Sequence, residues 1–85
     1  MLMLGKYNLY VEKETSRGRI DCILECPNYV YIFEFKLNST AAAALRQIEE
    51  RGYADPYTTD TRPIYKVGIS FSSETGTIND FDVIR

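Results

Sequence analysis

The sequence predicts a single α+β domain built on a mixed β-sheet, with elements in the order β-β-β-α-β-β. Three observations carry this expectation. Three runs rich in aromatic and β-branched residues follow one another with only short turns between them. An alanine-rich stretch with apolar residues at helical spacing comes next, and a further strand-like run, I-Y-K-V-G-I-S-F, follows it. At 85 residues the chain has room for one small core.

The first strand is expected over residues 7–15, with Tyr7, Leu9 and Val11 on one face and Asn8, Tyr10, Glu12 and Glu14 on the other. Ser16, Arg17 and Gly18 have turn composition. A second strand over residues 19–26 places Ile20, Cys22, Leu24 and Cys26 on one side and Arg19, Asp21, Ile23 and Glu25 on the other. Pro27 and Asn28 turn the chain into residues 29–37, Y-V-Y-I-F-E-F-K-L. Three strands so joined form an antiparallel meander. The third strand is apolar on both sides and is therefore expected to be buried on both. Glu34 and Lys36 interrupt that pattern at its end, on the side of Val30 and Ile32, and a charge in such a place needs a partner or a job.

Ser39 or Thr40 can cap a helix over residues 41–52. Ala41, Ala44, Leu45, Ile48 and Gly52 make its apolar stripe, flanked by Gln47, Glu50 and Arg51. The small residues predict close packing on the sheet, and Asp55–Pro56 is expected to end the element. Residues 64–71 form the next strand, parallel to the third because a helix crosses between them. Residues 78–84 are a weaker edge strand.

Composition removes several function classes. The chain contains no histidine, which excludes His-based triads and His-rich zinc sites. Any catalysis must use carboxylates, lysine, tyrosine or a hard metal ion. Cys22 and Cys26, four apart on one strand, lie about 13 Å from each other, too far to bridge. The net charge of −2 lacks the overall basic signature of many nucleic-acid binders. No run approaches a membrane span, and the start is too short for a signal peptide, so the expected location is the cytoplasm.

Asp21 and the Glu34/Lys36 pair lie at similar distances from the Pro27–Asn28 turn, so an ordinary hairpin register brings them together on one side. Two carboxylates can hold a magnesium ion that keeps several waters and takes phosphate oxygens. A neighbouring lysine can orient a water or offset charge developing on phosphate. The same spacing also suits a cluster that satisfies itself, with Lys36 bridging Asp21 and Glu34.

G-R-I-D at Gly18–Asp21, I-F-E-F-K at Ile32–Lys36, and a following helix with Gln47 and Tyr53 resemble the PD-(D/E)xK nuclease superfamily. The pattern covers roughly residues 12–71 and is similar to the nuclease-like domain at the C-terminus of bacterial AAA-ATPase-like proteins. The resemblance implies a restriction-endonuclease-like core and a Mg2+ (or Mn2+)-dependent nuclease acting on nucleic acid, DNA first. It makes Asp21 and Glu34 metal ligands, with the Phe35 carbonyl as a further one. Lys36 would position the attacking water, and Gln47 would contact Lys36 or substrate. Glu12 or Glu14 would supply an additional acid, with Glu12 preferred. Arg19 would meet a substrate phosphate or pair with Glu34 or Glu12, and Tyr53 would pack at the helix end.

The superfamily core begins with a helix, whereas only residues 1–6 precede the first expected strand here. An open sheet face rich in Tyr and Phe then calls for a second copy, and a homodimer is expected. The alternative reading is a catalytically inactive nuclease-like binding or regulatory module, or a dimeric remnant of a larger AAA-ATPase-associated protein.

Overall fold

The computed structural model describes the backbone of residues 2–4, 7–14 and 19–85, and side chains of residues 7–11 and 21–85. The elements are β1 (Leu2–Leu4), β2 (Tyr7–Glu14), β3 (Arg19–Glu25), β4 (Val30–Leu37), α1 (Ala41–Arg51), a 3₁₀ turn (Asp55–Tyr57), β5 (Ile64–Phe71) and β6 (Ile78–Ile84). The six strands lie in sequence order in one sheet. β4 and β5 pair in parallel and every other neighbouring pair is antiparallel. The sheet is therefore mixed, as expected, with the helix crossing between its two parallel strands.

β1 is an addition to the expected order. Its three residues pair with β2, Leu2 opposite Leu9 and Leu4 opposite Tyr7. M-L-M-L is too short and too uniformly apolar to show a period, so only pairing reveals it as a strand. The turn expected at Ser16–Arg17–Gly18 lies outside the described residues.

α1 begins at Thr40, whose Oγ1 accepts from the Ala43 amide at 3.1 Å. Two other elements help to seat this end. The Asp80 carboxylate on β6 accepts from the Ala41 amide at 2.8 Å, and Ser70 Oγ on β5 accepts from the Ser39 amide at 2.8 Å. A carboxylate there also complements the positive end of the helix dipole. The helix has the expected extent, but its stop is glycine rather than Asp55–Pro56. Gly52 takes a left-handed conformation (φ 65°) and bonds back to the Glu49 and Ile48 carbonyls, so glycine terminates it. Pro56 instead lies at the start of the separate 3₁₀ turn.

One face of the sheet carries the helix. Val30 and Ile32 of β4 pack with Leu45, Ile48 and Tyr57, and Ile23, Tyr53, Ala54 and Ile64 border them. Burying an Ile or Val completely stabilises the fold by roughly 1.5–3 kcal/mol. The closest approach is at Gly68 of β5. A Cβ added there would sit 2.5 Å from the Ala41 carbonyl oxygen and 3.1 Å from the Ala44 Cβ. Small residues thus face one another across the helix–sheet contact, as the alanine stripe predicts. The ion pair of Lys66 on β5 with Glu49 on α1 borders it.

The opposite face corrects the expectation for β4. Its residues are alternately buried and half-exposed, so the strand is buried on one side only. Tyr31, Phe33 and Phe35 cover one another and their neighbours instead. Tyr31 stacks on Tyr65 at 5.4 Å between centroids, Phe33 on Phe35 at 6.1 Å, and Phe35 on Phe71 at 6.0 Å. An aromatic ladder looks like a buried strand in sequence because both use the same residues.

The close approach at Gly68 generates a prediction. Gly68→Ala should destabilise the protein by about 1–3 kcal/mol, because the added methyl forces α1 off the sheet. Urea unfolding followed by circular dichroism measures it, and an unchanged midpoint would refute the tight contact.

Candidate functional site

The β3–β4 hairpin sets the geometry. Cys26 donates its amide to the Tyr29 carbonyl at 2.8 Å, which closes the turn. Arg62, from the loop before β5, donates to the Cys26 carbonyl at 2.9 Å and forks onto Asp60 at 2.9 and 2.6 Å. Those hydrogen bonds draw the Asp60 carboxyl down to about 2. With the turn fixed, the register places Asp21 directly opposite Glu34. Residues directly opposite on antiparallel strands share a face and have Cβ atoms about 5 Å apart.

Both carboxylates are buried, Asp21 with 6% of its surface exposed and Glu34 with none. Glu34 lies in register with Gly68, under the start of α1, and Asp21 lies one strand further out. Tyr53, just beyond the end of α1, donates its hydroxyl to Asp21 Oδ2. A second tyrosine repeats this arrangement one turn on. Tyr57 donates to Glu25 Oε2 at 2.6 Å, and burial together with that bond pushes its own hydroxyl well above the usual range. Two tyrosines following the helix thus hold two carboxylates of β3.

The other residues singled out in the sequence fall around this pair. Lys36 is half-buried, two residues beyond Glu34 on the same side, in register with the buried Ser70. Among the described residues it forms no ion pair with Asp21 or Glu34, so the cluster bridged by Lys36 is not the arrangement observed. Phe35 lies between Glu34 and Lys36 in the same strand. Glu12 is the register partner of Asp21, and Glu14 that of Arg19, so the backbone favours Glu12 as the acid nearest the pair. The side chains of Glu12, Glu14 and Arg19 lie outside the described residues. Gln47 is half-buried on α1, and its side chain makes no hydrogen bond among the described residues.

Asp21 and Glu34 offer hard oxygen donors, the chemistry that magnesium and manganese take. Among the described residues no third carboxylate or thiol joins them. The cysteines stand apart from such a role. Cys22 and Cys26 are free thiols, and burial pushes the Cys22 thiol up. Beside Asp21 the sheet opens into a pocket of about 390 Å³.

A family profile for the PD-(D/E)XK nuclease superfamily matches residues 1–81, and the chain belongs to that superfamily. A curated protein from Azotobacter chroococcum mcd 1, an uncharacterized protein in the vnfD 5′ region, is 39% identical over 75 residues. That match covers 86% of this chain but only 14% of the relative. No solved structure matches the chain significantly. Among the described residues no helix is long and apolar enough to cross a membrane.

Sequence reading treated Tyr53 as a packing residue. It does border the core, but its hydroxyl also reaches Asp21, and the Gln47-to-Tyr53 spacing was the signal that marked it. Tyr53→Phe keeps the ring and removes one hydrogen bond to a buried carboxylate. It should cost about 1.5–3 kcal/mol in thermal or urea unfolding, and a loss below 0.5 kcal/mol would mean that the bond contributes little.

Proposed function

We propose that this domain is a divalent-metal-dependent nuclease that hydrolyses phosphodiester bonds of nucleic acid, DNA in the first instance. The observation that carries the reading is the direct opposition of buried Asp21 and Glu34, with Lys36 next on the same side. Two carboxylates side by side on one face of a hairpin can share a divalent cation as hard oxygen ligands. Asp21, Glu34 and the Phe35 carbonyl would hold Mg2+ or Mn2+, with Glu12 as the additional acid. The bound ion would supply Lewis-acid polarisation of the phosphate and a more acidic water.

The remaining roles belong to the chain's own groups. Lys36 would orient the attacking water and offset charge building on the phosphate. Tyr53 would hold Asp21 in one rotamer, and Gln47 would contact Lys36 or the substrate. Arg19, two residues before Asp21, would meet a neighbouring phosphate. Within the superfamily, the nuclease-like domain of bacterial AAA-ATPase-like proteins is the variety proposed. The chain spans about one seventh of the curated relative's length, which suits a module of a larger protein.

Plasmid and single-stranded DNA incubated with the protein and magnesium or manganese test this reading. Lys36→Ala and Asp21→Ala should each lower cleavage at least ~100-fold. Equal cleavage by all three proteins would overturn the nuclease assignment. DNA binding by all three without cleavage would favour the inactive module instead.

The same reading includes a homodimer, formed through the aromatic face. Tyr29, Tyr7 and Phe81 on that face are 38%, 45% and 68% exposed, and Val11, Leu37 and Val83 add to them. With ~200 Å² per aromatic side chain, the three rings alone expose about 300 Å². These residues supply a large part of the roughly 800 Å² per partner that a standard interface buries. Sedimentation at micromolar concentration should give a dimer, and Phe81→Glu should give a monomer. A monomeric wild-type chain would refute the pairing.

A further inference from the structure

α1 does not cover the whole of the face it packs on. Its main contacts are with β4, β5 and β6, while Tyr53 and Tyr57 beyond its end reach over to β3, and the face opens beside them. The 390 Å³ pocket lies there, within the ~300–1,000 Å³ range of small-molecule sites. Its floor is one cross-strand row, Tyr10 opposite Ile23 and Ile23 opposite Ile32. The neighbouring row is the one that carries Asp21 and Glu34. Tyr53 lines the pocket from the helix side, and Tyr10 lines it from the outer strand with 39% of its surface exposed.

We propose that this pocket takes one unstacked nucleobase of the substrate strand, with Tyr10 as its stacking residue. This rests on the nuclease reading and names the part of the substrate that the site recognises. The lining decides what fits. Among the described residues it combines an apolar floor, two tyrosine rings and one carboxylate. A base presents an apolar face to the rings and N–H donors to the polar edge. Ile23 is two residues from Asp21, which sets the floor about 7 Å from the carboxylate row. That is comparable with the reach from a base to the phosphate of its own nucleotide. A base seated on Tyr10 therefore leaves its phosphate beside the row that Asp21 brings to the pocket. A base held in a stacked duplex cannot enter, so the pocket selects single strands or frayed ends.

Fluorescence anisotropy tests this with three labelled probes in calcium buffer: a single-stranded DNA oligonucleotide, an abasic strand of equal length, and a blunt duplex. The wild-type chain should bind the single strand more tightly than the other two. Tyr10→Ala should raise the Kd for the single strand about tenfold while leaving the abasic strand unaffected. Tyr10→Phe, which keeps the ring, should behave as wild type. Equal wild-type binding of normal and abasic strands, or an unchanged Kd in Tyr10→Ala, would overturn the base pocket and leave nucleic-acid binding standing. Failure to bind any probe would overturn both the pocket and the nuclease reading.

Discussion

The rest of the structure depends on the close approach of α1 to β5 at Gly68. With no side chain at that position, the helix start can lie against the strand backbone, and Ala41 and Ala44 keep the other side of the contact equally thin. Glu34 is in register with Gly68, so the same approach buries its carboxylate completely. A bulkier residue on either side would lift the helix and let water reach the carboxylate. Burial of a charge is costly, and here the fold accepts that cost at the one strand end where Asp21 lies opposite.

The two faces of the sheet serve different ends. On one, α1 covers β4 and β5, the tyrosines after it reach over β3, and Tyr53 becomes one wall of a pocket. On the other, tyrosines and phenylalanines shield one another, and Phe81 and Val11 stand in solvent. A single helix cannot cover both sides of a six-stranded sheet. Among the described residues one helix thus leaves both a pocket and an apolar back.

Much of this was legible in the sequence, and the parts that were not have a common cause. The alternation in β3 and β4 and the turn between them were enough to bring Asp21 to Glu34, because hairpin register is a local property. The alanine stripe foretold the tight helix contact, and the resemblance to the nuclease superfamily agrees with the family match. What escaped depends on contacts distant in sequence. β1 is a strand only because β2 pairs with it. Asp80 caps α1 from another strand, 39 residues away from Ala41. Phe33 and Phe35 look like core residues until the absence of a second layer among the described residues is known.

Tyr53 links these levels. It borders the core, so its ring is placed by the packing of Ile48 and its neighbours, and its hydroxyl is placed on Asp21 as a result. Asp21 itself belongs to β3, whose register with β4 is held by the turn that Arg62 secures at the Cys26 carbonyl. The carboxylate pair is thus fixed from two directions, by the hairpin beneath it and by the helix end above it. Neither support touches the pair only locally. The helix end is where it is because the helix start rests on Gly68. Packing at one end of α1 and the geometry of Asp21 at the other are therefore one property of the fold, and a change in helix height is felt first where a carboxylate must keep its place.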